Sequence, residues 1–243
     1  MFNDITEIVD VNKLNSKKKA NLIDDDGNHV TTEEYFKIFH ERNGWKVLRG
    51  EVSLWEKLFC LSFWDVIFHN HTLPTKEQWE SGQYSELAAK AFMENISFGD
   101  IPKDIYTDSF YLKKKDMFDN AYKDLLKTNI KNKINETIET NKVYWTRLIY
   151  NHPSDSFEMF NNEIFQEFLE IVPNNIFADT VRRLSIDQNM RAGTPDFIIW
   201  KENNFQLVEV KRINEQLRDN QIEWINWFLE KNYPIKIFRI NPV

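Results

Sequence analysis

The chain has 243 residues, 42% of them apolar or aromatic, with only 6 glycines and 7 prolines, which is enough for one sizeable core and excludes a chain disordered throughout. Its single cysteine, Cys60, excludes an intrachain disulfide and a cysteine-rich zinc site. The formal net charge of −7 excludes a uniformly basic, phosphate-binding surface and leaves a local basic face as the route to any nucleic acid.

Residues 1–4 show no basic segment leading into an apolar one, so no signal peptide is expected, and a reducing cytoplasm suits the lone thiol. The first twenty or so residues, with Lys17, Lys18 and Lys19, read as a polar, disordered stretch. Asp26-Gly27 marks a turn; a calcium loop there would need Leu22 as its first ligand, so a solvated turn is the reading. Thr31, with Glu34 three residues on, forms a capping box that opens a helix carrying Tyr35, Phe36, Ile38 and Phe39 inward and ending near Gly44. A short strand follows at 45–48. Ser53 and Glu56 form a second capping box, opening a helix over 53–68 that is apolar on nearly all sides and therefore central, with Cys60 as a buried thiol. The longest apolar run, 58–68, is too short and interrupted to span a bilayer, so no membrane partner is expected.

From about 70 to 176 the pattern is helical and irregular, punctuated by Pro74, Pro102, Pro153 and Pro173. Lys113, Lys114, Lys115, Lys123, Lys127, Lys131 and Lys133 make a basic segment, either a path for DNA or a solvated helix face. The contiguous His69-Asn70-His71 is a coincidental match to a nuclease motif whose residues are well separated. Val181-Arg182-Arg183 reads equally as a phosphate contact or a surface helix end. The tryptophans read mainly as core.

The last third reads strand–strand–helix–strand. Residues 196–200 and 205–210 are β-type runs joined by a tight turn at 202–204. A helix from about 215 to 231 carries Trp224, Trp227 and Phe228 at helical spacing, and 234–240 alternates as a final strand. In such a hairpin Asp196, at the start of one strand, meets Glu209 and Lys211, at the end of the next, and the last two share one face. Two carboxylates hold Mg²⁺ or Mn²⁺, the Val210 carbonyl is a further candidate ligand, and a lysine beside them orients water or stabilises developing charge: the set that phosphodiester hydrolysis needs. The bare pattern also fits a surface ion pair at a strand end. Against that, both acids terminate apolar runs, where a charge needs a reason.

Residues 191–200, centred on Gly193-Thr194-Pro195-Asp196, together with 207–211 and 221–224, closely resemble the VRR-NUC domain, the virus-type replication-repair branch of the PD-(D/E)XK nucleases. Residues 49–53 leading into 61–68, and residues 104–111, resemble the corresponding stretches of the Fanconi-anaemia-associated members. The resemblance implies an α/β, restriction-endonuclease-like core: a small mixed β-sheet flanked by helices, with a large helical insertion. On that reading residues 1–243 form a single domain, with 1–29 an N-terminal segment, 30–69 the first core helices, 70–176 the insertion and 177–243 the catalytic core.

By the same resemblance Asp196 and Glu209 are the principal metal ligands, Glu51 is an additional acidic one, Lys211 is the catalytic lysine and Gln221 an accessory active-site residue. Candidate DNA contacts are Lys113, Lys114, Lys115, Lys127, Arg191, Arg212 and Arg218. The implied activity is metal-dependent cleavage of flapped, branched or duplex DNA in repair or recombination, by a monomer, since the insertion distinguishes this type from compact members that resolve junctions as dimers. Two other readings stand beside it: a DNA-degrading toxin with an immunity protein as partner, and a degenerate fold that binds DNA or protein. The sequence departs from the family after the lysine, where Arg212-Ile213 replaces a Gly-Pro turn and Glu215-Gln216 an Asp-Arg pair, so a DNA contact from that loop is expected to move to Arg212 or Arg218. The N-terminal DNA-binding and helical-repeat domains of larger relatives have no counterpart in this sequence, and selectivity residing in them does not carry over.

Overall fold

The computed structural model describes residues 2–11, 22–24, 26–50, 52–144, 146, 160, 162–186 and 192–243. In chain order the strands and helices of the first stretch are β1 (Thr6–Val11), β2 (Leu22–Ile23), β3 (His29–Val30), α1 (Thr32–Arg42), β4 (Lys46–Arg49), α2 (Val52–Ser62) and α3 (Trp64–Ile67). The middle holds β5 (His71–Thr72), α4 (Lys76–Glu80), α5 (Tyr84–Met93), β6 (Ser97–Phe98), α6 (Asp108–Lys113), α7 (Lys115–Leu125), α8 (Ile130–Asn141), α9 (Glu163–Ile171) and α10 (Asn174–Ile186). The chain ends with β7 (Phe197–Lys201), β8 (Asn204–Arg212), α11 (Asp219–Glu230) and β9 (Ile235–Pro242). These elements fall into two compact units, Met1–Leu54 with Ala192–Val243, and Trp55–Arg191. The second unit thus takes in most of the apolar helix at 53–68 and residues 177–191, beyond the expected insertion at 70–176.

The first unit is built on a five-stranded sheet in the order β1-β9-β8-β7-β4, with β1, β9 and β8 parallel and β8, β7 and β4 antiparallel. A parallel pair needs a crossover, which α11 supplies between β8 and β9. On one face Val208 and Val210 of β8 join Phe197, Ile199, Phe238 and Ile240 in a cluster with Tyr35 and Phe36 of α1. The expected capping box starts that helix: the Glu34 N–H donates to Thr31 Oγ1 at 3.1 Å, and the Thr31 N–H to Glu34 Oε2 at 2.7 Å. The Phe36 ring then lies 4.7 Å from Phe197 and 5.0 Å from Phe238. Since side chains alternate along a strand, Leu207, Glu209 and Lys211 of β8 project to the opposite face, where α11 lies against β9.

Three expectations are corrected. Residues 6–11 are an edge strand, in register with β9 from Thr6↔Ile237 to Val11↔Pro242, and Val11 is buried in the core cluster; residues 12–20 lie outside the described residues. The helix at 53–68 is two helices, α2 beginning at Val52 and breaking at Phe63, whose ψ of 26° leaves the helical region. The Ser53 side chain lies outside the described residues, and the Glu56 carboxylate accepts the Tyr106 hydroxyl proton. The last helix begins at Asp219, not near 215, for a reason that belongs to the site. The Asp24 turn is also more closed than a solvated one: Asp24 Oδ1 accepts the N–H groups of Asp26 at 3.0 Å and Asn28 at 2.7 Å.

Among its described residues the second unit is helical apart from the two-stranded parallel pair β5–β6 and the isolated bridge Thr75↔Tyr144. Phe118 sits among Phe59, Phe63, Phe110 and Tyr111, and Cys60 is buried, as expected. Arg182 of α10 donates to Asp119 of α7 at 2.5 Å and stacks over Tyr122, so its guanidinium serves the packing of these two helices. No helix among the described residues is long and apolar enough to cross a membrane.

Candidate active site

Asp196 enters the site along a backbone held close on two sides. Gly193 has a φ of +91°, and a Cβ there would lie 2.8 Å from the Asn220 backbone, so the approach to the start of α11 needs glycine. On the other side the Gly50 N–H donates to the Asp196 carbonyl at 2.8 Å, and a Cβ on Gly50 would lie 2.9 Å from the Pro195 carbonyl oxygen. The pairing Phe197↔Val208 then sets Asp196 level with Glu209. The Asp196 carboxylate is half-buried and accepts the Val210 N–H through Oδ2 at 2.8 Å.

Glu209 and Lys211 are 1% and 6% exposed. Lys211 Nζ lies 2.5 Å from Glu209 Oε1, 3.2 Å from the Val210 carbonyl and 3.8 Å from Glu215. The buried Gln221 amide donates to Glu209 Oε1. Burial, with the Asp196 carboxylate beside it, pushes the Glu209 carboxyl up to about 7, against the pull of Lys211 and Arg218. Two carboxylates and a carbonyl are thus gathered with more negative charge than one ammonium balances. That is a hard-oxygen donor set suited to a divalent cation. Glu51, the expected additional ligand, lies outside the described residues, and among the described residues no group of three or more His, Cys, Asp or Glu side chains clusters as a metal site.

Arg218, expected at the DNA, caps α11 and is exposed; its N–H donates to Gln221 Oε1 at 3.0 Å. Arg212 donates through Nε to Thr32 at 3.1 Å. In the second unit Lys114 Nζ donates to the carbonyls of Val66, Ile67 and His69 at 2.8–3.1 Å, and Lys115 pairs with Asp119 at 2.5 Å, while Lys113 and Lys127 are exposed. Arg191 lies outside the described residues. The sequence reading missed Arg239, whose Nη1 donates to the carbonyls of Arg212 at 2.9 Å, Ile213 at 3.3 Å and Glu215 at 2.9 Å. Arg239 stands opposite Lys211 in the β8–β9 register, and this grip keeps residues 212–215 out of helix and delays α11. The available signal was a charged residue beside buried neighbours on an alternating strand.

The mixed sheet flanked by helices has a restriction-endonuclease-like α/β fold, and it sets Asp196, Glu209 and Lys211 at the ends of adjoining strands. Residues 127–241 match the family model of the VRR-NUC domain. It is 23% identical over 233 residues to the Fanconi-associated nuclease 1 homolog of Arabidopsis thaliana, covering 92% of this chain and 23% of that protein. It is 22% identical over 222 residues to the homolog of Schizosaccharomyces pombe, covering 88% and 28%. Among solved structures it is similar to paFAN1 bound to 5′-flap DNA with a gap: with a 2-nucleotide flap the TM-score is 0.68 at 20% identity, over 100% of this chain and 39% of that one. With a 1-nucleotide flap it is 0.69 at 19%, over 98% and 38%. The chain therefore spans about a quarter of the length of these two curated relatives.

Proposed function

We propose that this chain is a metal-dependent DNA nuclease that selects flapped or branched ends in repair or recombination. The observation that carries the reading is the meeting of Asp196, Glu209 and Lys211 at one end of the sheet, with Glu209 held by Gln221. Asp196, Glu209 and the Val210 carbonyl would hold Mg²⁺ or Mn²⁺, which when bound supplies an acidified water and charge relief on the phosphoryl oxygens. Lys211 holds its ammonium 2.5 Å from Glu209, where it would orient the attacking water or stabilise the negative charge that develops. Gln221 orients the carboxylate, and the burial of Glu209 keeps competing water off it. Relatives named as Fanconi-associated nucleases and solved neighbours bound to 5′-flap DNA support the substrate class. The exposed Lys113, Lys127 and Arg218 remain the candidate DNA contacts of the described chain.

The test is cleavage of labelled 5′-flap, 3′-flap, four-way-junction and plain duplex DNA with Mg²⁺ or Mn²⁺, by wild type, Asp196→Ala and Lys211→Ala. Metal-dependent cutting with a flap preference, lost in both variants, is expected. Equal cutting of every substrate would favour a DNA-degrading toxin, and no cutting under either metal would withdraw the catalytic assignment.

A further inference from the structure

In the second unit a cavity of about 420 Å³ opens between α3, β5 and the end of α8. That volume lies in the range of small-ligand sites. Its apolar wall is aromatic, made by Trp64, Phe68, His71 and Tyr144. Trp64 is buried and backs the half-buried Phe68 at a ring distance of 4.2 Å, and the His71 ring lies 5.5 Å from Phe68. Tyr144 is 36% exposed, yet its backbone is held. Its N–H donates to the Asn141 carbonyl at 3.0 Å, it bridges to Thr75, and the Lys76 N–H donates to the adjacent Val143 carbonyl at 2.9 Å. An accessible aromatic ring thus stands in a held position at the mouth of the cavity.

The polar lining supplies acceptors. The Asp65 carboxylate is 88% exposed and has Lys133 at 3.9 Å, a pairing that solvent screens. Asn141 commits its amide nitrogen to the Thr137 carbonyl at 2.8 Å, which leaves its amide oxygen to accept. No lysine or arginine lines the cavity. His71 is uncharged at neutral pH, because burial lowers its pKa against the pull of the Gly99 carbonyl, 2.8 Å from Nε2. A phosphate therefore meets no cation here. A flat ring with N–H groups along its edge meets aromatic surface to stack on and a carboxylate to donate to, and a nucleobase is such a ring. Guanine sets two donors side by side, N1–H and the N2 amino group, which one carboxylate accepts together; thymine offers N3–H alone.

We propose that this cavity takes one unpaired nucleobase of the bound DNA, guanine above the others, with its ring against Phe68 and Tyr144 and its N–H edge on Asp65. The step from base to DNA strand rests on the nuclease reading.

Fluorescence anisotropy on the full chain in EDTA tests it. The probes are labelled strands of abasic sites carrying one central guanine, one central thymine or no base. Wild type is expected to bind the guanine strand about tenfold more tightly than the baseless strand, as for one stacked base, and more tightly than the thymine strand. Tyr144→Ala is expected to lose that gain and Tyr144→Phe to keep it. Asp65→Asn is expected to bind the guanine strand no better than the thymine strand. Removing an acid favours the binding of any polyanion, so a loss in this variant has the opposite sign to a charge effect. If Tyr144→Ala melts far below wild type, Asp65→Asn and the base series decide. Equal affinity of wild type for the guanine and baseless strands would overturn the proposal, as would an unchanged guanine preference in Asp65→Asn. Calorimetric binding of choline with no gain from either base would overturn it in favour of a cation cage. A chain that cuts flap DNA but shows no base gain keeps the nuclease reading and loses the pocket. A chain that neither binds nor cuts flap DNA but keeps the guanine gain loses the nuclease reading and keeps the pocket.

Discussion

Gln221 joins the start of α11 to β8 through Glu209: its amide nitrogen donates to the Glu209 carboxylate while its amide oxygen accepts the Arg218 N–H at 3.0 Å. One buried side chain thus caps a helix and orients a candidate metal ligand. Gln221→Ala should lose the cap, at about 1 kcal/mol of unfolding free energy, and weaken Mn²⁺ binding roughly 10- to 100-fold. Urea unfolding and calorimetric titration of Mn²⁺ separate the two effects. Equal Mn²⁺ affinity in variant and wild type would remove Gln221 from the site.

Arg239 acts on the same loop from the other side. Its guanidinium holds the carbonyls of Arg212, Ile213 and Glu215, and Glu215 lies 3.8 Å from Lys211. Arg239→Met leaves those carbonyls without this donor, so stability should fall by about 1–3 kcal/mol. Cleavage should fall with it while flap affinity holds, because the loop positions Lys211. A variant with wild-type turnover would show that the grip is purely structural.

Gly50 sets how closely β4 approaches the strand that carries Asp196. In Gly50→Ala a Cβ placed 2.9 Å from the Pro195 carbonyl oxygen and 3.2 Å from Ile198 must push the two strands apart. Overpacking of this kind is destabilising by about 1–3 kcal/mol, and the displaced Asp196 should lower metal-dependent cleavage further. A crystal structure of the variant with Asp196 undisplaced would refute the wedge.

His40 gives the first unit a pH dependence. It is buried against Phe36 and Phe238, at ring distances of 4.1 and 5.1 Å, with Nδ1 3.0 Å from the Phe36 carbonyl. Burial lowers its pKa below 6.5, with smaller opposing pulls from the Phe36 carbonyl and Glu7 and a slight push from Lys236. The unfolded chain therefore takes up the proton first. The His40 contribution to stability is complete above pH 6.5 and is lost as pH falls from 6.5 toward the folded value. The urea midpoint should decline over that window in wild type and more shallowly in His40→Phe; parallel profiles would exclude His40 as the cause.

Much of the fold could be read locally. The Thr31–Glu34 box, the hairpin around Glu202, whose φ of +53° closes the turn, and the alternation in β9 are all written within a few residues. The spacing of Asp196, Glu209 and Lys211 follows from the same hairpin, since the period of a strand dictates which side chains share a face. By itself, then, the sequence determined the β-β-α-β core and the three charged residues at its strand ends.

What it left open depended on partners remote in the chain. Residues 6–11 become a strand only because β9 offers a free edge more than two hundred positions away, and an isolated six-residue stretch has no local means of holding that shape. Arg239 acquires its task from three carbonyls that the turn after β8 presents to it. Lys57 looks like any lysine on a helix until the packing of the second unit closes over its stem and leaves the ammonium with no ion pair among the described residues. Only tertiary structure decides such matters, because burial and the satisfaction of polar groups depend on what surrounds a residue in space.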